Sequence, residues 1–199
     1  MRRHGFTLIE LLIVVAIIAI LAAIAVPNFL EAQTRAKVSR AKADIRSLAT
    51  AIEAYRIDHN SYPNDIGNDW PWYPPDSLST PVAYITNSFL PDPFRISPMS
   101  ANVIQGRRFR YVNYIAGRDG WSHYGTPNDG GAYGMGLHSM TSAWTTGLAT
   151  FGEWKLSSAG PDQNANLNFV TEELIYDATN GTISQGDIVR SQLEPEARP

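Results

Sequence analysis

The chain has 199 residues, 44% of them hydrophobic and 18% charged, with 15 Gly, 13 Pro and no Cys. That suits one ordinary domain with a real core and excludes disordered, collagen-like and disulfide-stapled classes. The formal net charge is −3, and no run of like charge is long enough to track a nucleic-acid backbone, so no nucleic-acid partner is expected.

At the amino terminus Arg2, Arg3 and His4 precede Gly5, and Phe6 to Val26 is apolar except for Thr7 and Glu10. Such a length can cross a bilayer. A basic start, an apolar middle and the Ala23-Ile24-Ala25 end also fit a cleavable secretory signal. Glu10 counts against that reading, because a carboxylate within the apolar run costs about 2.5–3.5 kcal/mol at mid-membrane. So does the stretch from Glu31 to Asn60, which keeps helical composition, with Val38, Ala41, Ile45, Leu48, Ile52 and Tyr55 on one stripe and charges on the rest. Phe6 to Asn60 therefore reads as one helix about 80 Å long, too long to belong wholly to one compact domain. Pro27 is expected to kink it or open it locally, because proline lacks the N–H and crowds the preceding turn.

Eight of the thirteen prolines lie between Ser61 and Pro98, with Trp70, Trp72, Tyr73, Pro74 and Pro75 clustered in the middle. This is a long loop region whose aromatics either pin it to the core or form a partner-binding surface. Strands are expected at Arg107 to Ala116, Thr150 to Ser158, Glu173 to Asp177 and Asp187 to Arg190, making a small antiparallel sheet. Between the first two, Gly117 to Gly147 carries eight glycines and reads as an irregular excursion. A helix first and strands later define an α+β fold, with the sheet packed on the striped face of the helix.

Gly5-Phe6-Thr7-Leu8-Ile9-Glu10-Leu11-Leu12-Ile13-Val14-Val15-Ala16-Ile17-Ile18, followed by Pro27, closely resembles the prepilin signal and N-terminal helix of type IV pilins and type II secretion pseudopilins. The resemblance implies cleavage after Gly5 by a prepilin peptidase at the cytoplasmic face and methylation of the new Phe6 amine. It also implies assembly into a homo-oligomeric helical filament through Phe6, Glu10 and Pro27 at an inner-membrane platform. A single-pass precursor in the bacterial inner membrane, its head outside the cytoplasm, then becomes a periplasmic or extracellular filament. Glu10 needs a cation in its apolar setting, and the freed Phe6 amine of a neighbouring subunit supplies one. Further along, Pro91-Asp92-Pro93-Phe94, Arg110-Tyr111-Val112 and Leu156-Ser157-Ser158-Ala159-Gly160-Pro161-Asp162 are similar to segments of major pseudopilins. The implied division is a leader at 1–5, an apolar transmembrane and assembly helix at 6–30, an amphipathic second half at 31–60 and a globular head at 61–199.

Metal binding is the one chemistry the head suggests. Asp162 to Asn168 places oxygen side chains at alternate positions, and Glu173 falls where a twelve-residue calcium loop has its bidentate acid. Leu167 stands where that loop needs Gly, so an EF-hand is not expected. The resemblance to major pseudopilins implies a Ca²⁺ site in the C-terminal loop carried by Asp162 and Asp187, with Asn164, Asp177 and Asn180 as further ligands. The plainer reading is that these residues cap turns. No catalytic constellation is present: His59, His123 and His138 are scattered, and no Cys nucleophile, Gly-x-Ser-x-Gly or His-Glu-x-x-His occurs. The expected function is thus structural and not enzymatic: a pilus or pseudopilus subunit, with a minor pilin or adhesin displaying the Trp70–Tyr73 loop as the alternative. A membrane-anchored enzyme or sugar-binding head behind a borrowed leader is the third reading.

Overall fold

The computed structural model describes residues 6–64, 74–95, 108–115, 146–163, 175–177, 184 and 186–194. One helix, α1, runs unbroken over Leu8–His59, 52 residues, or about 78 Å at 1.5 Å per residue. It ends at Asn60 in the left-handed conformation (φ 54°), a common helix stop. Pro27 does not open it. The missing Pro27 N–H removes a single bond, to the Ala23 carbonyl, and the bonds on either side carry the helix across.

Among the described residues three strands come after it: β1 (Arg110–Asn113), β2 (Trp154–Ser158) and β3 (Ile188–Ser191). They form one antiparallel sheet in the order β1-β2-β3. The register pairs Tyr111 with Leu156 and Ser158 with Ile188, so these side chains share the face that meets α1. Against them lie Val38, Ala41, Ile45, Leu48 and Ile52, five of the six stripe residues; the sixth, Tyr55, packs at the margin. The α+β, pilin-like arrangement is borne out.

Two strand expectations are corrected. Thr150 to Ser158 is not one strand: residues 146–151 are helical, and β2 begins only at Trp154, after Gly152 turns the chain at φ 85°. Glu173 to Asp177 supplies no antiparallel strand among the described residues, only a parallel bridge from Ile175 to Asp187. The Trp70–Tyr73 cluster and nearly all of the 117–147 excursion lie outside the described residues.

The chain leaving α1 is tied to the sheet by Pro63, whose carbonyl accepts from the Tyr111 hydroxyl (2.9 Å) and Asn113 Nδ2 (3.0 Å). A second clasp joins two segments noted for their pseudopilin likeness. Buried Asp92 accepts from the Phe94 N–H (3.0 Å), the Ser158 hydroxyl (2.7 Å) and the Ala159 N–H (2.9 Å). The first bond makes an Asx turn of Pro91 to Phe94, and the other two anchor that turn to the end of β2.

Candidate functional site

Thr7 caps α1. Its hydroxyl accepts from the Glu10 N–H (3.3 Å), while the Glu10 carboxylate accepts from the Thr7 N–H (2.8 Å) and hydroxyl (2.7 Å). This reciprocal capping box satisfies two backbone donors that the first turn leaves open, and the carboxylate sits at the positive end of the helix dipole. The sequence signal for it is Thr-x-x-Glu, a motif that the expectation of an intersubunit charge at Glu10 does not require. In the single chain Glu10 is therefore held by its own residue Thr7. Phe6 stands 72% exposed beside the cap; Gly5 lies outside the described residues.

Every residue from Phe6 to Leu30 is exposed, although this stretch is the most apolar in the chain. It is long and apolar enough to cross a membrane. A contiguous apolar surface of this size is unlike that of a soluble monomer and marks a surface meant for lipid or for another protein. Burial begins only at Val38. The two halves of α1 thus do different things: 31–60 holds the head, and 6–30 is left for something outside the subunit.

Glu53 locks the far end of α1 to the head. Its carboxylate accepts from the Trp154 indole N–H (2.8 Å) and from the Tyr62 hydroxyl (3.1 and 3.3 Å). The Gln192 amide completes the link, its Nε2 donating to the Tyr62 oxygen (3.2 Å) and its Oε1 accepting from the Glu153 N–H (2.7 Å). The Tyr62 phenol is pushed up, first by burial and then by the charge and hydrogen bonding of Glu53, with Glu153 adding to it. Near the helix end Tyr55 and His59 stack at 3.9 Å, and the Tyr84 hydroxyl donates to Asp58 (2.8 Å).

The expected calcium ligands come together in part. Gly160, at φ 66°, packs so tightly on the Gly186 carbonyl that a Cβ would stand 2.0 Å from its oxygen. That brings the Asp162 turn beside Asp187. The Asp187 carbonyl accepts from the Tyr176 N–H (3.0 Å), and the Asp177 N–H donates to the Ser184 hydroxyl (2.8 Å), drawing Asp177 towards the same end of the sheet. Asp187 is buried and Asp162 exposed. Asn164 and Asn180 lie outside the described residues. Among the described residues no group of three or more His, Asp or Glu side chains is placed to hold a metal ion; a Ca²⁺ needs six to eight oxygens, so the described donors make up only part of a set.

A bare apolar helix with a capped, acid-bearing start, continuing across a small antiparallel sheet, is a pilin-like arrangement. Similarity to known proteins points the same way. Residues 1–26 match the prokaryotic N-terminal methylation motif, and residues 28–97 match type II secretion system protein G. The chain is 52% identical over 68 residues to the type IV major pilin protein PilA of Myxococcus xanthus, covering 34% of this chain and 30% of that one. It is 44% identical over 63 residues to the type II secretion system core protein G of Pseudomonas aeruginosa, covering 32% of this chain and 44% of that one. The type IV wide pilus major component PilA4 of Thermus thermophilus is 52% identical over 61 residues, 31% of this chain and 47% of that one. The matches thus span less than half the length of each of these relatives. No solved structure matches the chain.

Proposed function

We propose that this chain is a structural subunit of a type IV pilus-like filament or a type II secretion pseudopilus, with a mechanical and not a catalytic role. The observation that carries the reading is the fully exposed helix from Phe6 to Leu30 behind a Thr7–Glu10 cap. Before assembly this segment sits in the inner membrane with the head outside the cytoplasm. A prepilin peptidase removes residues 1–5, and the new Phe6 amine is methylated. In the filament the same apolar surface packs on other copies, with Glu10 paired to a neighbouring amine. Intact mass and N-terminal sequencing of the protein from membranes or sheared surface material, with electron microscopy of the same fraction, test this. A chain that starts at methylated Phe6 and lies in filaments is expected. A start after Ala25, in soluble protein, would overturn the reading.

We also propose that the end of the sheet carrying Asp162, Asp177 and Asp187 binds Ca²⁺, with Asn164 completing the side-chain donors. The support is the close packing of the Gly160 turn on Gly186, which sets two candidate acids on touching segments. Calorimetric titration with Ca²⁺ and the thermal shift on adding a chelator check it; no heat and no shift would remove the metal from the account.

A further inference from the structure

With 3.6 residues per turn, Lys42, Arg46 and Glu53 lie within about 40° of one another around the α1 axis. Glu53 stands about 10 Å beyond Arg46 along that axis and about 17 Å beyond Lys42. One flank of the helix is therefore cationic towards the membrane-proximal end and acidic towards the far end. Two other cations of this stretch have partners in their own turns, Arg35 with Glu31 and Arg40 with Asp44 (3.7 Å). Lys42, half-exposed, and Arg46, exposed, make no ion pair among the described residues. At the far end the Glu53 carboxylate is held in place by Trp154 and Tyr62, and Glu153, half-exposed, precedes Trp154 and its charge acts on the same Tyr62, its backbone being engaged by Gln192 and Tyr114. Arg56, three residues further along α1, sits over the Tyr62 ring at 5.5 Å and donates to Asn60 (2.9 Å).

Within one chain these charges cannot meet, because two to three turns of a continuous helix separate them. A second copy beside the first, shifted along α1 by about 10–17 Å, brings them to the same height. We propose that this flank is a contact between copies of the chain, Lys42 and Arg46 of one subunit facing Glu53 and Glu153 of the next. The proposal rests on the filament reading and specifies one of its interfaces. The two patches are unlike, so the contact is heterologous: it does not close on a pair but repeats in one direction, as a filament requires. Each exposed ion pair is weak, but the contact recurs at every subunit, and the pinned Glu53 carboxylate loses little freedom on pairing.

The chain has no cysteine, which makes crosslinking clean. Two full-length chains with tags of different size, one Arg46→Cys and the other Glu153→Cys, are produced together, and sheared filaments are oxidised. The expected product is a mixed-tag dimer, absent when Ser47→Cys, exposed and about 100° away around the helix, replaces Arg46→Cys. In parallel, Lys42→Glu with Arg46→Glu should lower the yield of filaments several-fold, and adding Glu153→Lys should restore part of it. Filaments with no mixed dimer, or full yield from the double charge reversal, would overturn the contact and leave the filament reading standing. Failure of the unmodified chain to form filaments would overturn that reading, and the contact with it.

Discussion

Asp92 shows how one side chain organises the head. It is 3% exposed, and burial, the largest influence, pushes its carboxyl up against the opposing pull of its three hydrogen bonds and the Arg95 charge. An acid whose folded-state pKa is raised favours the protonated fold, so its contribution is full below the ordinary carboxylate range and is lost as pH rises through the folded-state value. Asp92→Asn should remove that dependence. It should also cost about 1–3 kcal/mol at neutral pH, because an amide cannot accept all three donors. Urea unfolding of the full chain in detergent micelles, run from acid to neutral pH, measures both; superimposable profiles for the two proteins would refute the role. Tyr84 makes a second test at this scale. Its bond to Asp58, with some desolvation, pushes the phenol up to about 12. The sign comes from the neutral form being the donor: the bond persists through the ordinary tyrosine range and is lost as pH rises through about 12. An ultraviolet absorbance titration should show a late-ionising tyrosine that disappears in Tyr84→Phe.

At the scale of elements, α1 is one helix with two kinds of surface, and truncation at matched leucines should separate them. Leu48 is fully buried against the sheet, so Leu48→Ala should cost about 2–5 kcal/mol of subunit stability. Leu21 is exposed in the single chain, and Leu21→Ala should leave that stability within about 0.5 kcal/mol. Equal losses on unfolding in micelles would mean that the first half of α1 folds against the head. The same helix explains which features are legible in the sequence. Its stripe can be read because the spacing of Val38, Ile45, Leu48 and Ile52 is a local, repeated signal, and all of these residues are buried. The Thr7–Glu10 cap is legible in principle as a four-residue motif. The start of β2 is not, because Thr150 and Phe151, strand-favouring residues running into Trp154, instead close a helix over 146–151. Contacts far away in sequence decide that: Phe151 stacks on Tyr114, and Gly147 meets the Tyr114 ring so closely that a Cβ would stand 2.1 Å from it. The Asp92 clasp and the Glu53 network are hidden for the same reason. They join residues 66 and 101 positions apart, and no sequence period reports such pairs.

Over the whole molecule the exposed half of α1 sets a problem that a single copy does not solve. On the proposed filament reading, lipid covers the apolar side chains before assembly yet leaves Glu10 in an unfavourable medium, and the two bonds from Thr7, both to one carboxylate oxygen, meet part of its hydrogen-bonding capacity without cancelling its charge. On the same reading, transfer into a filament keeps the apolar surface covered and adds a cation, so Glu10 would favour the assembled state over the membrane state. Glu10→Ala inverts this preference. The variant keeps the apolar span and loses the carboxylate half of the cap, so it should insert and accumulate in the membrane at the level of the unmodified chain. It should nevertheless yield no filaments, because the neighbouring Phe6 amine then enters an apolar interface without a counter-charge. Glu10→Gln separates the two roles of the side chain. Its amide oxygen still accepts from the Thr7 N–H and preserves the cap, so if assembly fails equally in both variants the charge is what matters. Quantitative blotting of membrane and sheared fractions reads the outcome. Normal filaments from Glu10→Gln would assign Glu10 to capping alone, and the step from membrane to filament would then need another driving force.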